Sequence, residues 1–264
     1  MNYSEIVWRS IFSDLLTRGS TVETRGMKVV ELLNYQFAMP SDPFMSFKAR
    51  GLNLDYIRRE FQWYLKGDRY DLSICKHAKI WNDHVCDGTY LNSNYGHYLF
   101  ARRGLINAVE ELRKDPYSRR ACISILNTQQ HLGAKDIPCT YAINFMIRDD
   151  KLHMTVRMRS NDLFFGLGND APIFHFIHQL AFWMLSITYP NLTLGSYTHS
   201  ADSFHIYERH IAKGQEIAFG DDPYTPVGVP KIGSVEEALA VMHDWSGEHR
   251  LGFAFYNWLW EVKL

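Results

Sequence analysis

Three features of the chain predict an α+β fold. Residues 140–147 and 151–159 alternate apolar and polar positions around the turn Arg148-Asp149-Asp150, the pattern of an antiparallel hairpin with one buried face. Residues 55–65 and 103–114 carry apolar side chains at helical spacing. The long apolar stretch 171–187, interrupted by His175, His178 and Gln179, reads as a helix buried nearly all round. A mixed sheet with helices segregated around it satisfies all three.

Each element follows from local signals. Residues 27–38 read as a strand, long and bent. The helix at 55–65 sets Ile57, Phe61 and Tyr64 on one face, and Lys66-Gly67-Asp68 stops it. The helix at 103–114 ends at Asp115-Pro116, because the residue before proline is pushed out of the helical region. A strand at 121–126 precedes the hairpin. In 151–159, Leu152, Met154, Val156 and Met158 face one way, and Lys151, His153, Thr155, Arg157 and Arg159 the other. A short strand is expected at 203–207, a turn-rich segment at 220–230 and a helix at 235–244. No repeat, low-complexity tract or linker is visible, so a single domain over 1–264 is expected.

Composition narrows the function classes. The net charge is -1, from 28 basic and 29 acidic residues, which is not the basic excess of a duplex DNA binder. An anionic partner must therefore be met by a local arginine cluster, and no nucleic acid is expected as partner. The apolar stretch 171–187 is too short and too interrupted to span a membrane. The opening Met1-Asn2-Tyr3-Ser4-Glu5 lacks the basic start and apolar core of a signal peptide. Cys75, Cys86, Cys122 and Cys139 show no metal-ligand spacing and read as free thiols. A cytoplasmic protein without a bound metal is the expectation.

Three segments interrupt apolar patterns with reactive residues. In Asp136-Ile137-Pro138-Cys139-Thr140, a proline sets the entry to a strand and a thiol stands at its start. The simpler reading is a small buried hydrophobe. In Arg157-Met158-Arg159-Ser160-Asn161-Asp162, followed by Gly166-Leu167-Gly168-Asn169-Asp170, a strand end rich in cations and carboxylates leads through glycines into the buried helix. That suits an oxyanion site, or more simply a solvated strand end with a capped helix. In Asp202-Ser203-Phe204-His205-Ile206-Tyr207, His205 and Tyr207 share a face.

Together with Glu60-Phe61-Gln62-Trp63-Tyr64-Leu65-Lys66-Gly67, Ile80-Trp81, Asn94-Tyr95-Gly96 and Asp115-Pro116-Tyr117-Ser118-Arg119-Arg120, these segments resemble the thymidylate synthase family from about Glu23 to His210. The resemblance implies an α+β synthase-like fold and a homodimer with a sheet face at the interface. It implies a pyrimidine nucleoside monophosphate as substrate and 5,10-methylenetetrahydrofolate as co-substrate. Carried over by motif, Cys139 is the nucleophile and Glu60 the carboxylate that organises water and proton transfers. Arg159 and Ser160 contact phosphate, while Arg119 and Arg120 are lent to the partner's phosphate site. Asn161 and Asp162 lie in the strand-end motif, Asp162 beside base and folate. His205 and Tyr207 contact the sugar, and Trp81 and Tyr95 line the folate side of the wall. The family's N-terminal phosphate arginine aligns at Thr24, with Arg25 one position late. Arginines near Cys139 are expected to favour its thiolate.

The departures point to the base. Where synthases carry the asparagine that reads uracil, this chain has Asp170 after Gly168-Asn169. A carboxylate can accept from the amine of cytosine and share a proton with ring N3; the simpler role for Asp170 is a helix cap. Thr140 replaces the usual histidine after the nucleophile, and the tail Trp258–Leu264 is unlike the synthase lid. The pattern resembles the deoxycytidylate hydroxymethylase branch of the family, with Cys139, Glu60 and Asp170 as catalytic residues and 5-hydroxymethyl-dCMP as product. Alternatives are a CMP hydroxymethylase, a dCMP methylase, a thymidylate synthase acting on dUMP, and a non-catalytic nucleotide- or RNA-binding homologue.

Overall fold

The computed structural model describes residues 2–127 and 131–261. Among these, six strands form one mixed sheet in the order β1-β2-β6-β5-β4-β3. The strands are β1 (Ser20–Thr24), β2 (Met27–Ala38), β3 (Cys122–Ser124), β4 (Thr140–Arg148), β5 (Lys151–Asp162) and β6 (Thr193–Tyr207). All neighbours are antiparallel except β5 and β6, which run parallel. Two hairpins close in the same way. Arg25 and Gly26 join β1 to β2, and Asp149 and Asp150 join β4 to β5, all four with φ between 50° and 72°. Two left-handed central residues give the turn whose twist matches the flanking strands.

The helices are α1 (Tyr3–Arg18), α2 (Leu54–Lys66), α3 (Gly104–Lys114), α4 (Gly168–Ser186), α5 (Ile211–Phe219), α6 (Val235–His243) and α7 (Ala254–Leu259). Helix α2 starts where the Asn53 side chain accepts from the Tyr56 amide, and it stops at Gly67, φ 63°. Helix α4 is buried along most of its length and packs against the sheet, α2, α3 and α6. One hydrophobic core runs from Trp8 to Leu259 and takes in Leu152, Met154, Val156 and Met158. The opposite sheet face, with Asn144, Thr155, Arg157 and Thr198, stays half-buried or exposed. No helix among the described residues is long and apolar enough to cross a membrane.

Several sequence expectations shift. The strand expected at 203–207 begins ten residues earlier, at Thr193, because its polar half is held by parallel pairing with β5. The strand at 121–126 shortens to Cys122–Ser124, and the long helix begins at Gly168. Helices α1, α5 and α7 and strand β1 were not anticipated. Of the tail, residues 262–264 lie outside the described residues; Glu261 is held by Arg58 and Arg59 of α2.

Candidate active site

Helix α2 builds the first wall of a cleft of about 400 Å³. Tyr56, Glu60 and Tyr64 recur every four residues, so they stack along one face and line the cleft. Glu60 is 4% exposed. The Tyr64 hydroxyl donates to its Oε1 at a long 3.5 Å, and among the described residues Oε2 has no hydrogen-bond partner. Burial first, then the charge of Asp170, pushes the Glu60 carboxyl up to about 8. Tyr95 closes the wall, its ring 5.3 Å from that of Tyr64. The close approach depends on Gly96: a Cβ there would lie 1.7 Å from the Tyr64 carbonyl oxygen.

Cys139 stands one residue before β4 and lines the same cleft. Arg159, on the neighbouring strand, donates from Nε to the Pro138 carbonyl (3.0 Å) and from Nη2 to the Ile137 carbonyl (2.7 Å). Its Nη2 also lies 3.6 Å from Cys139 Sγ. The guanidinium thus holds the strand entry and touches the thiol. Burial nevertheless pushes the thiol up more than Arg159 and Arg25 pull it down. The expected thiolate stabilisation by arginine is present but outweighed in the unliganded chain. The Thr140 amide donates to the Tyr95 hydroxyl at 3.3 Å, and Thr140 Oγ1 is buried without a partner among the described residues.

The second wall is the end of β5 and the first turn of α4. The Asp162 carboxylate accepts from the amides of Phe164, Phe165 and Gly166, which fixes the turn into α4. Asp162 lines the cleft, but much of its acceptor capacity is spent on the backbone. Asp170 is not a helix cap: its Oδ2 accepts from Asn161 Nδ2 at 2.9 Å. Burial pushes its carboxyl up to about 7 against the pull of that hydrogen bond. Arg50, 5% exposed, ties the turn down by donating to the Phe164 carbonyl (2.9 Å) and to Asn169 Oδ1 (2.7 Å).

The rim gathers most of the remaining candidates. Arg25, at the tip of the β1–β2 hairpin, reaches the cleft together with Ser160, His205 and Tyr207. The shifted alignment at Thr24 is thus met by a hairpin tip that brings Arg25 to the site. Trp81 also lines the cleft, its Nε1 donating to the Tyr56 hydroxyl at 3.0 Å. Ile80 and Phe165, 60% and 47% exposed, add apolar surface at the mouth. Arg119 and Arg120 are exposed and do not line this cleft, and Arg120 pairs with Glu111 at 3.0 Å.

The cleft therefore brings together one thiol, two buried carboxyl groups pushed up to about 7 and 8, two arginines and exposed apolar side chains. Such a site can add sulfur to an electron-poor ring, move protons near neutral pH and hold an anion. Sequence reasoning missed Tyr56, Arg50 and His199. Tyr56 was legible, because it precedes Glu60 by one helical turn. Arg50 and His199 act across long loops and between strands.

The thymidylate synthase family model matches residues 7–225. The deoxycytidylate 5-hydroxymethyltransferase of Enterobacteria phage T6 is 30% identical over 201 residues, 72% of this chain and 80% of that protein. The protein of the same name from Enterobacteria phage T4 is 29% identical over the same shares. The deoxyuridylate hydroxymethyltransferase of Bacillus phage SP01 is 27% identical over 76% of this chain and 56% of its own length. In structure, thermostable thymidylate synthase A from Bacillus subtilis superposes with a TM-score of 0.70 at 18% identity, covering 86% of this chain and 87% of that one, which speaks for the fold. Fold and family match agree: this chain belongs to the thymidylate synthase family.

Proposed function

We propose that this enzyme is a deoxycytidylate 5-hydroxymethyltransferase that takes its one-carbon unit from 5,10-methylenetetrahydrofolate. The observation that carries the reading is Asp170, a cleft-lining carboxyl in the first turn of α4 that is held by Asn161 and does not cap the helix. A carboxylate there accepts from a 4-amino group and can share a proton with ring N3.

The residues then take these roles. The Cys139 thiolate adds to C6, forming the S–C6 bond and making C5 nucleophilic. A dianionic phosphate among Arg25, Arg159 and Ser160 places C6 over the sulfur, while His205 and Tyr207 hold the sugar. The folate supplies a carbon at the oxidation level of formaldehyde, and Trp81, Ile80 and Phe165 offer its flat ring an apolar seat. Once C5 is joined to that carbon, a base removes the C5 proton and tetrahydrofolate leaves, so the carbon remains as an exocyclic methylene on the pyrimidine. Water, ordered by Glu60 Oε2, which has no hydrogen-bond partner among the described residues, adds to the methylene as the S–C6 bond breaks, leaving a hydroxymethyl group.

The working form we propose is a homodimer through the uncovered sheet face, with Arg119 and Arg120 completing the partner's phosphate site. Arg119→Ala and Cys139→Ala should each be weak or dead, and a mixed dimer of the two should regain activity in one site.

A second reading has its own support. With its carboxyl pushed up to about 7, Asp170 can also be protonated and donate to O4 of a uracil nucleotide, and the Bacillus phage relative bears a deoxyuridylate name. Mass spectrometry of products from dCMP, CMP and dUMP in oxygen-18 water decides. A labelled hydroxymethyl product from dCMP supports the first reading. The same product from dUMP alone replaces it with the second, and an unlabelled methyl product refutes both.

A further inference from the structure

The hydrogen bonds behind Asp170 form a directed chain. The Tyr197 hydroxyl lies 2.8 Å from His199 Nδ1, both on β6. His199 Nε2 lies 3.1 Å from Asn161 Oδ1 on the neighbouring strand, and Asn161 Nδ2 lies 2.9 Å from Asp170 Oδ2. Tyr197, His199 and Asn161 are 4%, 0% and 3% exposed. Burial keeps His199 neutral, its pKa pushed down to about 3.

A neutral imidazole has one N–H and one lone pair, so what it does at one nitrogen fixes what it does at the other. The asparagine amide is polarised in the same way. The chain therefore has two self-consistent directions. If the Tyr197 hydroxyl donates to Nδ1, Nε2–H donates to the Asn161 carbonyl, and the Asn161 amide donates to Asp170 Oδ2, which favours the ionised carboxyl. In reverse, the Asn161 carbonyl faces Asp170, which must then carry a proton. Among the described residues, the Tyr197 hydroxyl has no acceptor other than His199. The reverse direction would strand a buried O–H proton, which is costly.

We propose that Tyr197 and His199 are positioning residues that fix the direction of this chain, so that Asp170 meets the base as an acceptor and selects a 4-amino over a 4-oxo pyrimidine. The proposal rests on the reading of Asp170 as the base-reading group. Neither residue touches the substrate; both act through Asn161.

Calorimetric titration of the folate-free protein with dCMP and with dUMP tests it, since binding needs no turnover. Tyr197→Phe keeps the ring and removes the donor, and should cut the dCMP preference about tenfold. His199→Leu should lose it, while His199→Gln, whose amide nitrogen can stand in for Nε2–H, should keep more of it. In an Asp170→Asn background, Tyr197→Phe should leave the dCMP-to-dUMP ratio unchanged. A wild-type protein that does not discriminate, or an Asp170→Asn variant with the wild-type ratio, overturns the underlying reading of Asp170. If Asp170→Asn moves the ratio but folded Tyr197→Phe and His199→Leu hold it within about twofold, the relay itself is refuted. Loss of affinity for both nucleotides in equal measure also refutes it, because a structural role predicts that result.

Discussion

The two walls of the cleft each present a buried carboxyl, and they hold it in different ways. Glu60, on α2, is approached by the hydroxyls of Tyr56 and, at a long 3.5 Å, Tyr64, and among the described residues its Oε2 has no hydrogen-bond partner. Asp170, across the cleft, is tied at 2.9 Å to a chain of three further buried side chains. Both are shifted upward by the same cause, burial. The difference lies in freedom. A loosely held acid can exchange protons with water during a reaction, while a tightly held one can present a fixed hydrogen-bonding face. The α2 wall is thus suited to chemistry and the β5–α4 wall to recognition.

Removing the thiol between the walls should cost most. Cys139→Ala should lower kcat by something on the order of 10⁶-fold, as losses of a nucleophile can, while dCMP affinity stays near wild type. Rapid-quench turnover and equilibrium binding check it; an alanine variant with ordinary turnover would remove covalent catalysis from the account. Asp170→Asn should act on recognition, reversing up to roughly 10⁴-fold of the dCMP-to-dUMP preference in kcat/KM, since mismatched buried hydrogen bonds are strongly rejected. Glu60→Gln should do the converse, lowering kcat by about 10³-fold with the base preference unchanged. If the two variants had the same kinetic profile, the division of labour between the walls would collapse.

The smallest expected effect is on stability. Both carboxyls titrate higher when folded than the usual carboxylate range of about 4. The folded state therefore binds more protons than the unfolded state between about pH 4 and pH 8. These two groups contribute full stability below pH 4, and the contribution fades as pH rises through about 7 and 8. Glu60→Gln should raise the unfolding midpoint of the unliganded protein at pH 8.5 and leave it almost unchanged at pH 4. Calorimetry at the two pH values tests the sign.

Much of this was legible in the chain where the signal is local. The bounds of β2, the α2 stop at Gly67 and the inward set Leu152, Met154, Val156 and Met158 follow from period and turn chemistry. Helix α1 was legible too, since Trp8, Ile11, Phe12 and Leu15 repeat at helical spacing and Asn2 caps the Glu5 amide. The first half of β6 was not. Gly195, Ser196, Thr198 and Ser200 show no apolar alternation, and their pairing with β5 is decided by tertiary contact. The cleft divides likewise. Cys139, Glu60, Arg159, Ser160, His205 and Tyr207 sit in short motifs, and the structure brings them together. The link from His199 to Asn161 joins residues 38 apart, and that from Arg50 to Asn169 residues 119 apart, with no periodicity to announce either.

The contact of Gly96 with the Tyr64 carbonyl divides the site for anyone who would redesign it. Ile80, 60% exposed at the mouth, can be varied to admit other ring systems, whereas Phe165 also packs edge-on against Phe164 and His210 and has less room to change. Position 96 tolerates one residue type. Any side chain there would force α2 and the Tyr95 segment apart, and Glu60 and Tyr95 would move with them. A library built on this scaffold should vary the mouth and keep that one seam closed.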